Sequence, residues 1–186
     1  GERFTGTWDL GASCSGFVAA LDAVARIVAT DPTINRAVVV GVYNMPAFFR
    51  PGDVFGYSIF ADGAGAVVVE KSESVAATHA GDTGSRYLGG QLLADGTQWD
   101  FVGVYTGGSR QPATKERLDS GEYGLQLLQR LPGDRNVKLW PKMVEHLLAK
   151  VELPLEKVDH IVFTQINRSV ILEVMEILGL DHEKTT

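Results

Sequence analysis

Apolar positions recur at helical spacing from Gly16 to about Thr30. Phe17, Leu21, Val24 and Val28 fall on one stripe, with Val18 and Ala25 beside it. Only Asp22, Arg26 and Thr30 break that surface, so the spacing predicts a largely buried helix, ended by Asp31-Pro32. Ala37-Val38-Val39-Val40-Gly41-Val42 is a β-branched run of the kind found in a strand covered on both faces. Ahead of the helix, Thr5 to Leu10 reads as a strand feeding a turn of small residues. The opening is therefore expected to be a βαβ unit, with its ligand end at the first strand-to-helix turn. Val67-Val68-Val69-Glu70 reads as a further strand, entered through Phe60-Ala61-Asp62-Gly63-Ala64-Gly65-Ala66.

The middle of the chain is less regular. Tyr43 to Tyr57 is aromatic, and Pro46, Pro51 and Gly52 break any long helix. Phe48 and Phe49 in this loop are candidate substrate-binding side chains. A subunit interface and satellite core packing are the other readings, and packing is the stronger. Ser72 to Arg86 is polar and reads as a seam, dividing the chain into 1–85 and 86–186. Tyr87 to Ala94 and Trp99 to Tyr105 read as two strands joined across Asp95-Gly96, a hairpin signal. Thr106 to Val137 is a long polar excursion.

Periodicity then returns. Trp140 to Val151 predicts an amphipathic helix with Val144, Leu147, Leu148 and Val151 inward and Pro141 in its first turn. His160 to Thr164 reads as a strand. A last helix follows, capped by Asn167, with Val170, Val174, Ile177 and Leu178 inward and Gly179 at its C′ position. Strand, helix, strand and then helix, strand, helix argue for an α/β fold of two similar halves.

Composition narrows the possibilities. A chain of 186 residues with 45% hydrophobic residues can bury a core. A net charge of −6 with no basic block argues against nucleic acid or an anionic membrane as partner. No apolar run reaches the ~18 residues of a membrane span, and the start lacks a signal-peptide pattern. One cysteine excludes an internal disulfide and suits a reducing compartment, so a cytoplasmic protein is expected. No metal-ligand spacing is present. Asp62-Gly63-Ala64-Gly65 lacks the phosphate-binding spacing, and a strand follows it rather than a helix.

That cysteine, Cys14, lies in Gly11-Ala12-Ser13-Cys14-Ser15-Gly16, where small residues leave room for a substrate carbonyl. At a helix N-terminus, backbone N–H groups favour a thiolate and can hold an oxyanion. Cys14 is thus a candidate nucleophile; the alternative is an inert small hydrophobe. The spacing is not the G-x-S-x-G of an α/β-hydrolase.

Trp8-Asp9-Leu10-Gly11-Ala12-Ser13-Cys14-Ser15-Gly16-Phe17 resembles the nucleophile motif of the thiolase superfamily, in the β-ketoacyl-[acyl-carrier-protein] synthase III branch. Asp62-Gly63-Ala64-Gly65-Ala66 is similar to that branch's D-G-A-G-A strand entry. His160-Ile161-Val162-Phe163-Thr164-Gln165-Ile166-Asn167 is similar to its strand ending in P-H-Q-A-N. The resemblance implies a layered α-β-α-β-α architecture of two halves, incomplete at both ends, with the opening portion and the loop of a catalytic asparagine outside this sequence. It also implies a homodimer and an acyl group carried on Cys14, delivered as a thioester of coenzyme A or acyl-carrier protein. No other cofactor is expected.

The departures from the family pattern bear on chemistry. The family's catalytic histidine falls on Thr164, which cannot act as that acid or base. Asn167 matches the motif's closing asparagine, and on spacing it is first a helix N-cap. The family's basic residue falls on Ser169, with Arg168 one place early; Asn167 and Arg168 are candidate substrate contacts. Of the histidines, His79, His146, His160 and His182, none is placed to replace the missing group. The expected activity is acyl transfer from Cys14 by Claisen-type condensation with a malonyl thioester. The alternatives are transfer to an oxygen or nitrogen nucleophile, or an impaired acyl-binding accessory subunit.

Overall fold

The computed structural model describes residues 6–72 and 85–186. It falls into two compact units, Gly1–Gly41 with Ala64–Leu92, and Val42–Gly63 with Leu93–Thr186. Residue 85, the expected division, falls within the second segment of the first unit. His79 and most of the expected seam lie outside the described residues.

In the first unit, α1 (Gly16–Thr30) packs against the strand β1 (Arg36–Tyr43), which pairs with β2 (Gly63–Glu70). The start of β1 lies beside the end of β2: Arg36 Nε donates to Glu70 Oε1 at 2.8 Å, and Lys71 N to Asn35 O at 2.8 Å. Strand and helix meet closely at Gly41, where a Cβ would sit 3.1 Å from the Phe17 ring. The polar stripe of α1 is also used. The Asp22 carboxylate accepts from Arg26 Nε at 3.0 Å and from the Tyr87 hydroxyl. Gly90 leaves space for that pair, because a Cβ there would lie 2.7 Å from Asp22 Oδ1. Burial, and then the Asp22 carboxylate, push the Tyr87 phenol up to about 12.

Coverage is thinner than the periodicity predicts. Ala19, Ala25 and Val28 of α1 are buried, whereas Phe17, Val18 and Ile27 are exposed. Along β1 only Val39 is buried; Val38, Val40 and Val42 alternate with it on an open face. A strand alternates its side chains between faces, and α1 covers one of them. No strand forms over residues 6–12, so β1 is the first strand of the described residues and its neighbour is β2. The turn at Ser13 joins α1 into an 18-residue helical stretch, Ser13–Thr30, which by length and composition is apolar enough to cross a membrane. That corrects the expectation of no such run. The Asp22–Arg26–Tyr87 cluster ties the polar stripe of this helix to the chain's own segment at 87–90.

The second unit opens with an aromatic cluster. Asp53 caps α2 (Val54–Ile59) by accepting from Gly56 N at 2.9 Å. Phe49 is buried between Tyr57, edge-on at 5.2 Å, and Phe60 at 5.7 Å. Further on, Asp95 Oδ1 accepts from Thr97 N and Oγ1, closing a 3-10 turn in place of the expected hairpin. The strand β3 (Val102–Gly103) instead pairs antiparallel with β4 (Gln126–Leu127), beyond the short helix α3 (Lys115–Asp119).

The last helix supplies most of the second unit's buried hydrophobic residues. α4 spans Arg135–Lys150 and packs on α5, Arg168–Leu178. Ile171, Val174, Met175 and Leu178 of α5 are buried, while Ile177, expected inward, is exposed. Gly179 closes α5 at φ +68°, a left-handed conformation that suits glycine. Pro141 lies inside α4 rather than in its first turn, because Asp134 and Arg135 start the helix earlier. The expected strand at 160–164 reduces to one parallel bridge, Ile161 to Thr185, held by Ile161 N donating to Lys184 O at 2.8 Å.

Candidate active site

The segment leading to Cys14 is irregular, and the chain turns at Ser13, whose φ of +47° is uncommon for a side-chain-bearing residue. Ser13–Ser15 form a 3-10 turn that runs straight into α1. Ser15 fixes this geometry twice, its N donating to Ala12 O at 3.1 Å and its Oγ to the same oxygen at 2.8 Å. Cys14 is free and exposed in the middle of the turn. It therefore precedes the first residue of α1 by two positions, instead of occupying the helix terminus itself.

This placement reassigns the expected hydrogen-bond donors. The N–H groups of Ser15 and Gly16 are engaged by the carbonyls of Ala12 and Ser13. The N–H of Cys14 has no hydrogen-bond partner among the described residues. A carbonyl attacked by Sγ would place its oxygen near that donor, the arrangement that stabilises a tetrahedral intermediate. Gly11, with no atom near its absent Cβ, leaves the approach open.

The other candidate residues belong to the second unit. Phe163 stacks on Trp140 at 5.2 Å, and the exposed Thr164 follows it. Thr164 O accepts from Ile166 N at 3.0 Å, which turns the chain into α5. Asn167 is the N-cap: its Oδ1 accepts from Ser169 N at 3.0 Å and from Ser169 Oγ at 2.7 Å. Arg168, the first residue of α5, is exposed. Phe48 is half-exposed and its carbonyl accepts from Leu125 N at 3.1 Å, whereas Phe49 is core. Thr164, Asn167 and Arg168 thus share one turn, and Phe48 and Phe49 belong to a different one. No group of three or more metal-binding side chains occurs among the described residues.

One residue escaped the sequence reading. Arg50 lies over Gly121 and Gly124, and its Nη2 approaches Leu125 O at 3.5 Å. The two glycines three residues apart were the only available signal.

Residues 8–84, which include Cys14 and its turn, match the family described as 3-oxoacyl-[acyl-carrier-protein] synthase III. Over that stretch the chain is similar to synthase III. A β-ketoacyl-[acyl-carrier-protein] synthase III of Natranaerobius thermophilus is 29% identical over 178 residues, covering 96% of this chain and 52% of the relative. A 3-oxopimeloyl-[acyl-carrier-protein] synthase of Rhodothermus marinus is 32% identical over 187 residues, covering 100% of this chain and 51% of the relative. The crystal structure of 3-oxoacyl-(acyl carrier protein) synthase III from Pseudomonas aeruginosa superposes with a TM-score of 0.71 at 26% identity, covering 96% of this chain and 50% of that one. The chain therefore has a thiolase-type α/β fold and spans about half the length of the curated relatives it matches.

Proposed function

We propose that this protein is an acyltransferase whose Cys14 takes an acyl group from a coenzyme A or acyl-carrier-protein thioester. Sγ attacks the thioester carbonyl, the carrier thiol leaves, and the acyl group remains on Cys14 as a new thioester. The observation that carries this reading is the exposed Cys14 in a fixed turn, with its own N–H unengaged, inside the stretch that matches the synthase III family. Condensation with a malonyl thioester is the expected second half, in a cytoplasmic homodimer with no cofactor beyond the carriers. Neither nucleic acid nor a membrane enters the proposal.

Thr164 supports a second outcome for that half-reaction. A threonine hydroxyl donates a hydrogen bond but does not exchange protons near neutral pH as imidazole does. Acylation then outpaces condensation, or the acyl group passes to an oxygen or nitrogen nucleophile. The experiment is intact-mass spectrometry of the full-length protein after incubation with acyl-coenzyme A donors of graded length, with Cys14→Ala as control. A mass increment equal to the acyl group, absent from the variant, is expected. Acylation that persists in Cys14→Ala would overturn the assignment, and no adduct from coenzyme A or carrier-protein donors would leave an acyl-binding accessory role.

A further inference from the structure

Within the second unit, the loop at 50–55 and the strand β4 with its flanks enclose an open cavity of about 430 Å³. That is the size of a small-molecule site. Phe55, Leu125, Leu127 and Leu128 contribute apolar side chains to a lining in which polar atoms predominate, and Arg50 and Asp53 stand at its edge. The two sides are tied together by the Leu125 N to Phe48 O hydrogen bond, so the cavity is preformed.

The arginine is seated with unusual care. A Cβ at Gly124 would lie 2.6 Å from Arg50 Cγ and 2.9 Å from its Nε, and one at Gly121 would lie 3.1 Å from its Cδ. Gly121 also holds φ +77°, where other residues are strained. Two glycines therefore keep a slot for the Arg50 stem. Its guanidinium makes one long hydrogen bond, to Leu125 O, and no ion pair among the described residues. A half-buried cation with its donors unspent beside phenylalanine and leucine side chains is suited to an anion carried on a hydrocarbon.

We propose that this cavity binds an aliphatic carboxylate, with the chain on Phe55 and the leucines and the head group on Arg50. A planar guanidinium matches a carboxylate in two parallel hydrogen bonds. One cation balances one negative charge, and the Asp53 carboxylate, already capping Gly56 N, disfavours a doubly charged phosphate at the same edge. Such binding does not depend on acyl transfer at Cys14. The same chemistry is offered by a free fatty acid and by the far carboxylate of a dicarboxylic acyl thioester.

The test is isothermal titration calorimetry of the full-length protein carrying Cys14→Ala, so that thioester probes are not consumed. Octanoate, 1-octanol, octyl phosphate and the half-thioester of octanedioic acid with N-acetylcysteamine are the probes. Saturable binding of octanoate or of the half-thioester is expected, and the tighter of the two names the source. Arg50→Gln should weaken that binding about tenfold or more while leaving octanol unaffected. Gly124→Ala, which displaces the arginine stem but keeps its charge, should weaken it too, with circular dichroism confirming that each variant is folded. Equal carboxylate affinity in the parent and both folded variants would overturn the proposal. So would tighter binding of octyl phosphate, or no saturable binding of either carboxylate.

Discussion

Replacing Asn167 separates its two assigned roles, cap and substrate contact. Its Oδ1 accepts from Ser169 N and Ser169 Oγ, so Asn167→Ala leaves the first turn of α5 without that acceptor. The turn is exposed and water takes over part of the bonding, which puts the expected loss at about 1 kcal/mol, mid-range for a helix N-cap. For a chain of this size that is a fall of roughly 2–4 °C in Tm. The loss should register globally because α5 supplies Ile171, Val174, Met175 and Leu178 to the core. Asn167→Asp keeps an acceptor and adds negative charge at a helix N-terminus, so its stability should equal or slightly exceed the parent's. Urea unfolding followed at 222 nm measures both variants, and Cys14 acylation is assayed on the same samples. An aspartate variant that is stable but acylated slowly assigns the amide to substrate binding as well. An alanine variant within a few tenths of a kcal/mol of the parent, or an aspartate variant as unstable as alanine, would refute the reasoning.

Two further outcomes follow from the geometry. The Tyr87 phenol rises from 10.0 to about 12 in the fold, so its contribution is whole below pH 10 and is lost as pH climbs from 10 to 12. Tyr87→Phe should cost about 1–2 kcal/mol at neutral pH through the lost Asp22 hydrogen bond and should flatten that alkaline decline; an unchanged slope in urea titrations at pH 8 and 11 would count against it. Thr164→His should raise decarboxylative condensation by about tenfold or more with Cys14 acylation unchanged. If stopped-flow release of carbon dioxide shows no gain, Thr164 is not what limits that step.

Legibility followed the strength of each local signal. α1, β1, β2 and α5 were readable because periodicity, a terminating Asp-Pro and the Asn167 and Gly179 caps agree with one another. The Cys14 turn was readable because its small residues and lone cysteine are chemically distinctive. The hairpin failed because Asp95 bonds Thr97, two residues on, and a short strand's partner is not written in the strand itself. Coverage of β1 failed because Val38, Val40 and Val42 have the same composition whether a layer covers them or not. Arg50 was invisible because its slot is assembled by two glycines more than 70 residues downstream.

Pro141 inside α4 carries a consequence for how that helix opens. Proline has no amide hydrogen, so the carbonyl of Val137 loses its intrahelical donor and the ladder of α4 is interrupted after its first turns. The N-terminal segment then has fewer cooperative bonds to break than the remainder, which runs on to Val151 N donating to Leu147 O. In native-state hydrogen exchange, the amides ahead of Pro141 should therefore trade protons through local fraying, while those after it wait for larger openings. A single ring thus divides one continuous helix into two kinetic compartments.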